Sequence, residues 1–182
     1  TVVNFTVRIS ISNSAPGHVA AGSAGGNGTL ATPYALAAPL GSISALTVAT
    51  VSDDNTGQNL SLFSQNNTAN PAGSSVTFTF SLNPVAGNPA TLIATPGAAP
   101  TLADLGNYEF TLVIEDDTIP TAVQTVLYVT IAVTGTAPVI TSAAAPSTAA
   151  TSALYTHTFT ATGNPAPTFA VTAGGPLPAW LS

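Results

Sequence analysis

The sequence predicts an all-β protein of two-sheet sandwich architecture, and three observations carry that prediction. Apolar and polar residues alternate over several stretches, and a period of two gives a strand one buried and one solvated face. The polar vocabulary is Thr, Ser, Asn, Gly and Pro, which suits strands and turns, and helix-forming runs of Glu, Lys, Arg and Gln are missing. Charge is almost absent: of 182 residues only Arg8, Asp53, Asp54, Asp104, Glu109, Glu115, Asp116 and Asp117 are formally ionised. A hydrophobic fraction of 45% suffices for a core, so stability must come from burial and backbone pairing.

The elements follow in order. Phe5, Val7, Ile9 and Ile11 alternate with Thr6, Arg8 and Ser10, which predicts a strand over residues 3–12. Residues 17–42, rich in Gly and Ala, fit no recognisable module. Weaker strand patterns cover 45–51, 58–63 and 90–94. Val76, Phe78, Phe80 and Leu82 share one face of a strong candidate. Tyr108, Phe110, Leu112 and Ile114 share a face of the next, and Leu127, Val129, Ile131 and Val133 of the last. Gly, Pro, Asn and Asp clusters separate these runs, the spacing expected of a sandwich.

The sequence also repeats itself. Asn4 to Pro16 superimposes on Val126 to Pro138 at an offset of about 122 residues, counted along the sequence. Phe5 then matches Leu127, Val7 matches Val129, Ile9 matches Ile131 and Ile11 matches Val133. Ala15-Pro16 matches Ala137-Pro138. A long apolar strand leaving through Ala-Pro is how one sandwich hands over to the next. The expected organisation is therefore a closing or donated strand at 1–14, a complete sandwich at 15–135, and the opening strands of a further domain at 136–182.

Several of these residues carry a family resemblance. Asp104-Leu105-Gly106-Asn107-Tyr108 resembles the tyrosine corner that enters strand F of immunoglobulin-like domains, and Phe110 stands where disulfide-bonded members have Cys. Gly106 to Val133, with a turn at Asp116 to Pro120, resembles the F–G hairpin of bacterial and archaeal immunoglobulin-like and cadherin-like repeats. Residues 137–182 are similar to the opening of dystroglycan-type cadherin-like modules. That likeness rests on Tyr155, Phe159, Gly163-Asn164-Pro165, Phe169 and Leu177 to Leu181. The resemblance implies an extracellular, cell-surface repeat protein of structural or adhesive function, a stalk or filament whose partners are copies of itself or adjacent repeats, possible glycans included.

Composition narrows the classes further. A net charge of −6 with one Arg lacks the basic footprint that nucleic acid requires. The densest apolar stretch, Ala122 to Val133, is interrupted by Gln124, Thr125 and Thr130 and is too short to span a bilayer. Absence of Cys removes any disulfide framework, which fits bacterial or archaeal surface proteins.

Candidate sites are few. Asp53-Asp54 and Glu115-Asp116-Asp117 are the carboxylate clusters, and loop oxygens of this kind are what Ca²⁺ takes. Asp53, Asp54, Asp116 and Asp117 are thus candidate calcium ligands, although solvated turn residues have the same composition, and no other cofactor is indicated. Sequons make Asn4, Asn27, Asn59 and Asn66 candidate glycosylation sites. His18 is expected in a solvated loop and His157 in half-buried packing beside Tyr155 and Phe159. No Gly-x-Ser-x-Gly elbow accompanies either imidazole, so no enzyme is expected. Outward strand positions carry Thr and Ser with Tyr128 as the exception, which disfavours the alternative, a carbohydrate-binding accessory module of a secreted enzyme.

Overall fold

A computed structural model of the chain describes residues 13–55, 57–117, 121–144 and 154–170. Within them lie ten strands and one 3-10 turn, Leu102–Asp104, with no α-helix. No helix there is long and apolar enough to cross a membrane. The chain divides into two compact units between Thr134 and Gly135.

The first unit holds β1 (Gly17–Ala20), β2 (Tyr34–Pro39), β3 (Leu46–Ser52), β4 (Leu60–Ala69), β5 (Phe78–Asn83), β6 (Ala90–Pro96), β7 (Gly106–Asp116) and β8 (Gln124–Thr134). They form two four-stranded sheets, ordered β1-β3-β6-β5 and β2-β8-β7-β4. Strands β7 and β8 make a long antiparallel hairpin running from Gly106↔Val133 to Glu115↔Gln124. Strand β2 adds to β8 in parallel, from Tyr34↔Val129 to Pro39↔Thr134.

Both sheets feed one apolar core. Phe78 and Phe80 on β5 meet Phe110 on β7 edge to face, with ring centroids 6.1 and 4.9 Å apart. Phe78 meets Tyr108 in the same way at 5.2 Å. Aromatic rings prefer these tilted contacts because the positive edge of one faces the negative face of the other. Every residue expected in the core from alternation is buried: Phe78, Phe80, Tyr108, Phe110, Leu112, Leu127, Val129 and Ile131. Thr111 and Val113, on the opposite face of β7, stay half-exposed.

Two strands depart from simple alternation. Strand β3 shifts register between Thr47 and Ala49, and at that bulge the consecutive residues Val48 and Ala49 both turn inward. A bulge adds one residue to one strand and so breaks the period of two. Strand β4 shifts twice against β7, between Leu62 and Ser64 and between Asn67 and Ala69, and exposes most of its length. Both were weak in the sequence for this reason.

The sheet edges are tied across the sandwich. At one side the Gln65 amide of β4 donates to the Phe78 carbonyl and accepts from the Phe80 N–H, both at 2.9 Å. That satisfies backbone groups on edge strand β5 which would otherwise face outward unpaired. At the other side His18 on β1 and Tyr34 on β2 share a hydrogen bond of 2.7 Å and an edge-to-face contact. His18 is therefore a strand residue, half-buried, and not the solvated loop residue expected from sequence. Burial holds its imidazole below the usual value and raises the Tyr34 hydroxyl. The parallel strand β2 itself had no counterpart in the sequence reading of 17–42.

The second unit contains β9 (Thr136–Ile140) and β10 (Ala161–Asn164), an antiparallel pair with a register shift between Thr162 and Asn164. All five residues of β9 are exposed. His157 is half-buried, as expected, with its ring edge to face against Phe159 at 4.7 Å. The strand expected at 3–12, with Phe5, Val7, Ile9 and Ile11, lies outside the described residues, as do Asn4 and Leu177 to Leu181.

Candidate functional site

The corner before β7 is densely hydrogen-bonded. Gly106 enters the strand at φ +131° with its α-carbon facing Pro71, so close that a Cβ there would stand 2.8 Å from Pro71 Cγ. Only glycine accepts both the angle and the approach. Two residues on, the Tyr108 hydroxyl donates to the Asp104 carbonyl at 3.0 Å, the backbone bond that the tyrosine-corner resemblance implies. The Asp104 side chain is buried and accepts from five donors. Its Oδ1 takes the N–H groups of Ser75 (2.7 Å) and Val76 (2.9 Å) and the Ser75 hydroxyl (3.4 Å). Its Oδ2 takes the N–H (2.8 Å) and hydroxyl (2.7 Å) of Thr101. The Thr101 hydroxyl, followed by these backbone N–H groups, holds the Asp104 carboxyl well below the usual carboxylate range. This arrangement is a structural anchor, since every oxygen is committed to the protein.

The candidate calcium ligands separate into two kinds. Asp53 and Asp116 are buried, while Asp54 and Asp117 are exposed. Asp117 binds Asn59 through two bonds, accepting from its backbone N–H at 2.9 Å and its side-chain amide at 2.8 Å. These two bonds lower the Asp117 carboxyl from its usual value. Asp116 Oδ1 accepts from the Val123 N–H (3.1 Å) and Oδ2 from the Asn13 amide (2.7 Å). Asn13 also accepts from the amides of Asn55 (3.1 Å) and Gln58 (3.2 Å), and Asp53 Oδ1 accepts from the Asn55 N–H (2.7 Å).

The end of the sandwich that receives the chain at Asn13 is thus an amide-bonded polar cluster. Asp53 Oδ2 is buried there with no hydrogen-bond partner, an oxygen that a cation would suit. Against a metal cage, no three His, Asp or Glu side chains come together among the described residues. Backbone and side-chain amides donate to Asp53 Oδ1 and to both carboxylate oxygens of Asp116 and Asp117. Asn13, Asn55 and Gln58, which organise the cluster, had no signal in the sequence: they are neutral and lie up to 103 positions from their partners.

A shallow pocket of about 320 Å³ lies on the outer face of the β7–β8 hairpin, with Glu109, Thr111, Tyr128 and Thr130 in its floor and Leu30, Pro33 and Thr68 at its rim. Tyr128 and Phe110 are the aromatic residues that line it. In the second unit, Ile140, Phe159, Phe169 and Ala170 line an apolar pocket of about 350 Å³. Among the sequons, Asn27, Asn59 and Asn66 are exposed. The Asn27 carbonyl is engaged by the N–H and hydroxyl of Thr29 and the hydroxyl of Thr32.

Comparison with protein-family models gives no match, and a search of curated proteins gives none either. What the fold defines is a class, an all-β protein with a closed, charge-poor core and a second β unit following directly.

Proposed function

We propose that the chain is a structural or adhesive extracellular protein, a cell-surface stalk or filament in which immunoglobulin-like sandwiches are set end to end. The observation that carries this reading is the handover between units: β8 ends at Thr134, Gly135 alone intervenes, and β9 begins at Thr136. Short links between independently folded sandwiches set a repeat spacing, which suits a load-bearing array. The strand orders support an immunoglobulin-like assignment: β1-β3-β6-β5 runs as A-B-E-D does, and β8-β7-β4 as G-F-C. The Tyr108–Asp104 corner bond supports it too, and Phe110 fills by packing the place that disulfide-bonded relatives give to Cys. The outward faces carry hydroxyl and amide groups with almost no charge, a surface to which glycans at Asn27, Asn59 or Asn66 would add solubility.

The second reading, a carbohydrate-binding module, is favoured by the Tyr128 pocket with Glu109 beside it. One experiment separates the two. Gold-labelled antibody against the chain, applied to intact cells of its source, is expected to mark extended surface structures at regular intervals. Labelling confined to the cell interior would overturn the structural reading. Retention of the purified chain on a polysaccharide column, abolished by Tyr128→Ala, would replace it with the second.

A further inference from the structure

The outer face of the β7–β8 hairpin carries a block of four polar side chains that take no part in holding the sandwich together. Glu109 on β7 lies opposite Thr130 on β8, and Thr111 lies opposite Tyr128. Glu109 and Tyr128 are therefore diagonal neighbours, about 7–8 Å apart along the sheet and within mutual reach. All four line the pocket of about 320 Å³. Glu109 is exposed and Tyr128 half-buried. Among the described residues, neither the Glu109 carboxylate nor the Tyr128 hydroxyl has a hydrogen-bond or ion-pair partner.

The walls of this pocket are held in place. On one side the Thr68 hydroxyl of β4 donates to the Glu109 carbonyl at 3.1 Å. On the other the Tyr128 N–H donates to the Gly28 carbonyl at 2.9 Å, which fixes the loop bearing Leu30 and Pro33 against β8. That loop is closed on itself. The Asn27 N–H donates to the Thr32 carbonyl at 3.1 Å, and the Thr29 and Thr32 hydroxyls donate to the Asn27 side-chain carbonyl. Gly28, at φ +75°, has no room for a side chain, since a Cβ would stand 2.6 Å from the Tyr34 ring. Leu30 is left 74% exposed at the rim, an apolar edge beside a carboxylate.

Such a pairing suits an ammonium group on an alkyl stem. An ammonium presents three donors that diverge, and Glu109, Thr111 and Thr130 offer acceptors at separate points. The Tyr128 ring offers its face to a cation, and Leu30 with Pro33 can cover the methylenes, as long cationic side chains bury their stems. A neutral sugar would use N–H donors as well as acceptors, and no side chain lining the pocket carries an N–H. The cation comes from another molecule: the chain has no Lys, and its one Arg, Arg8, lies outside the described residues. A net charge of −6 draws cations toward such a surface.

We propose that this pocket binds a lysine side chain of a partner protein, which gives the adhesive half of the reading above, on which the inference rests, a basic partner. The probe is Nα-acetyl-lysine methylamide, titrated into the full chain at low salt and read by the backbone amide resonances of Glu109, Thr111, Tyr128 and Thr130. Saturable shifts are expected there, with a dissociation constant on the order of 1 mM, within reach of so small a ligand. Raising the salt to about 0.5 M should weaken binding. The same compound acetylated at Nε keeps the stem but loses the charge, and should give no saturable shift. Glu109→Gln, which preserves the shape of the pocket, should weaken binding about threefold or more at an unchanged melting temperature. Tyr128→Ala should weaken it about threefold. Equal binding of the Nε-acetylated compound, or indifference to Glu109→Gln, would overturn the lysine site. So would shifts at the same amides from a neutral oligosaccharide with none from the lysine compound, which would make the pocket a saccharide site. The titration reads purified protein and the surface labelling reads cells, so either reading can fail without the other.

Discussion

Asp104 ties neighbouring segments of the first unit together through its carbonyl as well as its carboxylate. Its carboxyl is depressed from an ordinary value of 3.8 to below the range of common acids in proteins. A depressed carboxylate contributes stability that is fully present above the unfolded value and is lost as pH falls toward the folded one. Stability is therefore expected to decline from just below pH 4 downward. Asp104→Asn should lower the melting temperature at pH 7, because an amide cannot accept on both sides, and the gap from the parent should narrow by pH 2. A gap of constant size across that range would mean that the carboxylate charge contributes nothing. Removing the hydroxyl in Tyr108→Phe should cost about 0.5–1.5 kcal/mol in urea unfolding, the net value of one hydrogen bond. An unchanged midpoint would show the corner bond to be incidental.

At the scale of elements, the sandwich is held by strand faces and closed by its edges. Phe110 lies where β7 meets β5, between Phe78 and Phe80. Phe110→Ala should destabilise by about 3–5 kcal/mol, since well-packed neighbours relax only partly into the cavity. Gln65 acts differently, by satisfying the backbone of β5 from the opposing sheet. Gln65→Ala should cost about 1–3 kcal/mol through unpaired backbone groups. Gln65→Glu, which keeps the acceptor for Phe80 but loses the donor to Phe78, should fall between. Equal stability of all three proteins would show that water replaces the stitch at no cost.

For the whole molecule, the central question is how a chain without Lys, and with a single Arg, buries carboxylates at all. Asp104 and Asp116 answer it with hydrogen-bond donors from backbone and amide groups. Such bonds offset desolvation when they saturate the oxygens. The expected outcome is an unchanged melting temperature between excess EDTA and millimolar Ca²⁺, because binding would have to displace the Asn13 and Asn55 donors. A rise with Ca²⁺, lost in Asp53→Asn, would give Asp53 Oδ2 a cation and make the Asn13 end of the unit a calcium site.

Local pattern was enough to locate the strands 78–83, 106–116 and 124–134 and the faces they bury, and the resemblance to a tyrosine corner implied the Tyr108 bond. Each depends on neighbours within a few residues, and a period of two survives wherever one face meets a core. Strand β2 escaped because Ala and Pro weaken the alternation of Tyr34, Leu36, Ala38 and Leu40, and β3 was blurred by its bulge. Only the tertiary structure decided that β2 pairs in parallel with a strand some 95 positions later, as counted from Tyr34↔Val129. It alone brought Asn13 to Asp116 across 103 positions and to Asn55 across 42. Neutral amides carry no periodicity and no charge pattern, so their partners are set by how the sheets pack. The same packing turned Asp53 and Asp116 inward while it left Asp54 and Asp117 outside, a division that adjacent, identical residues cannot display in the sequence.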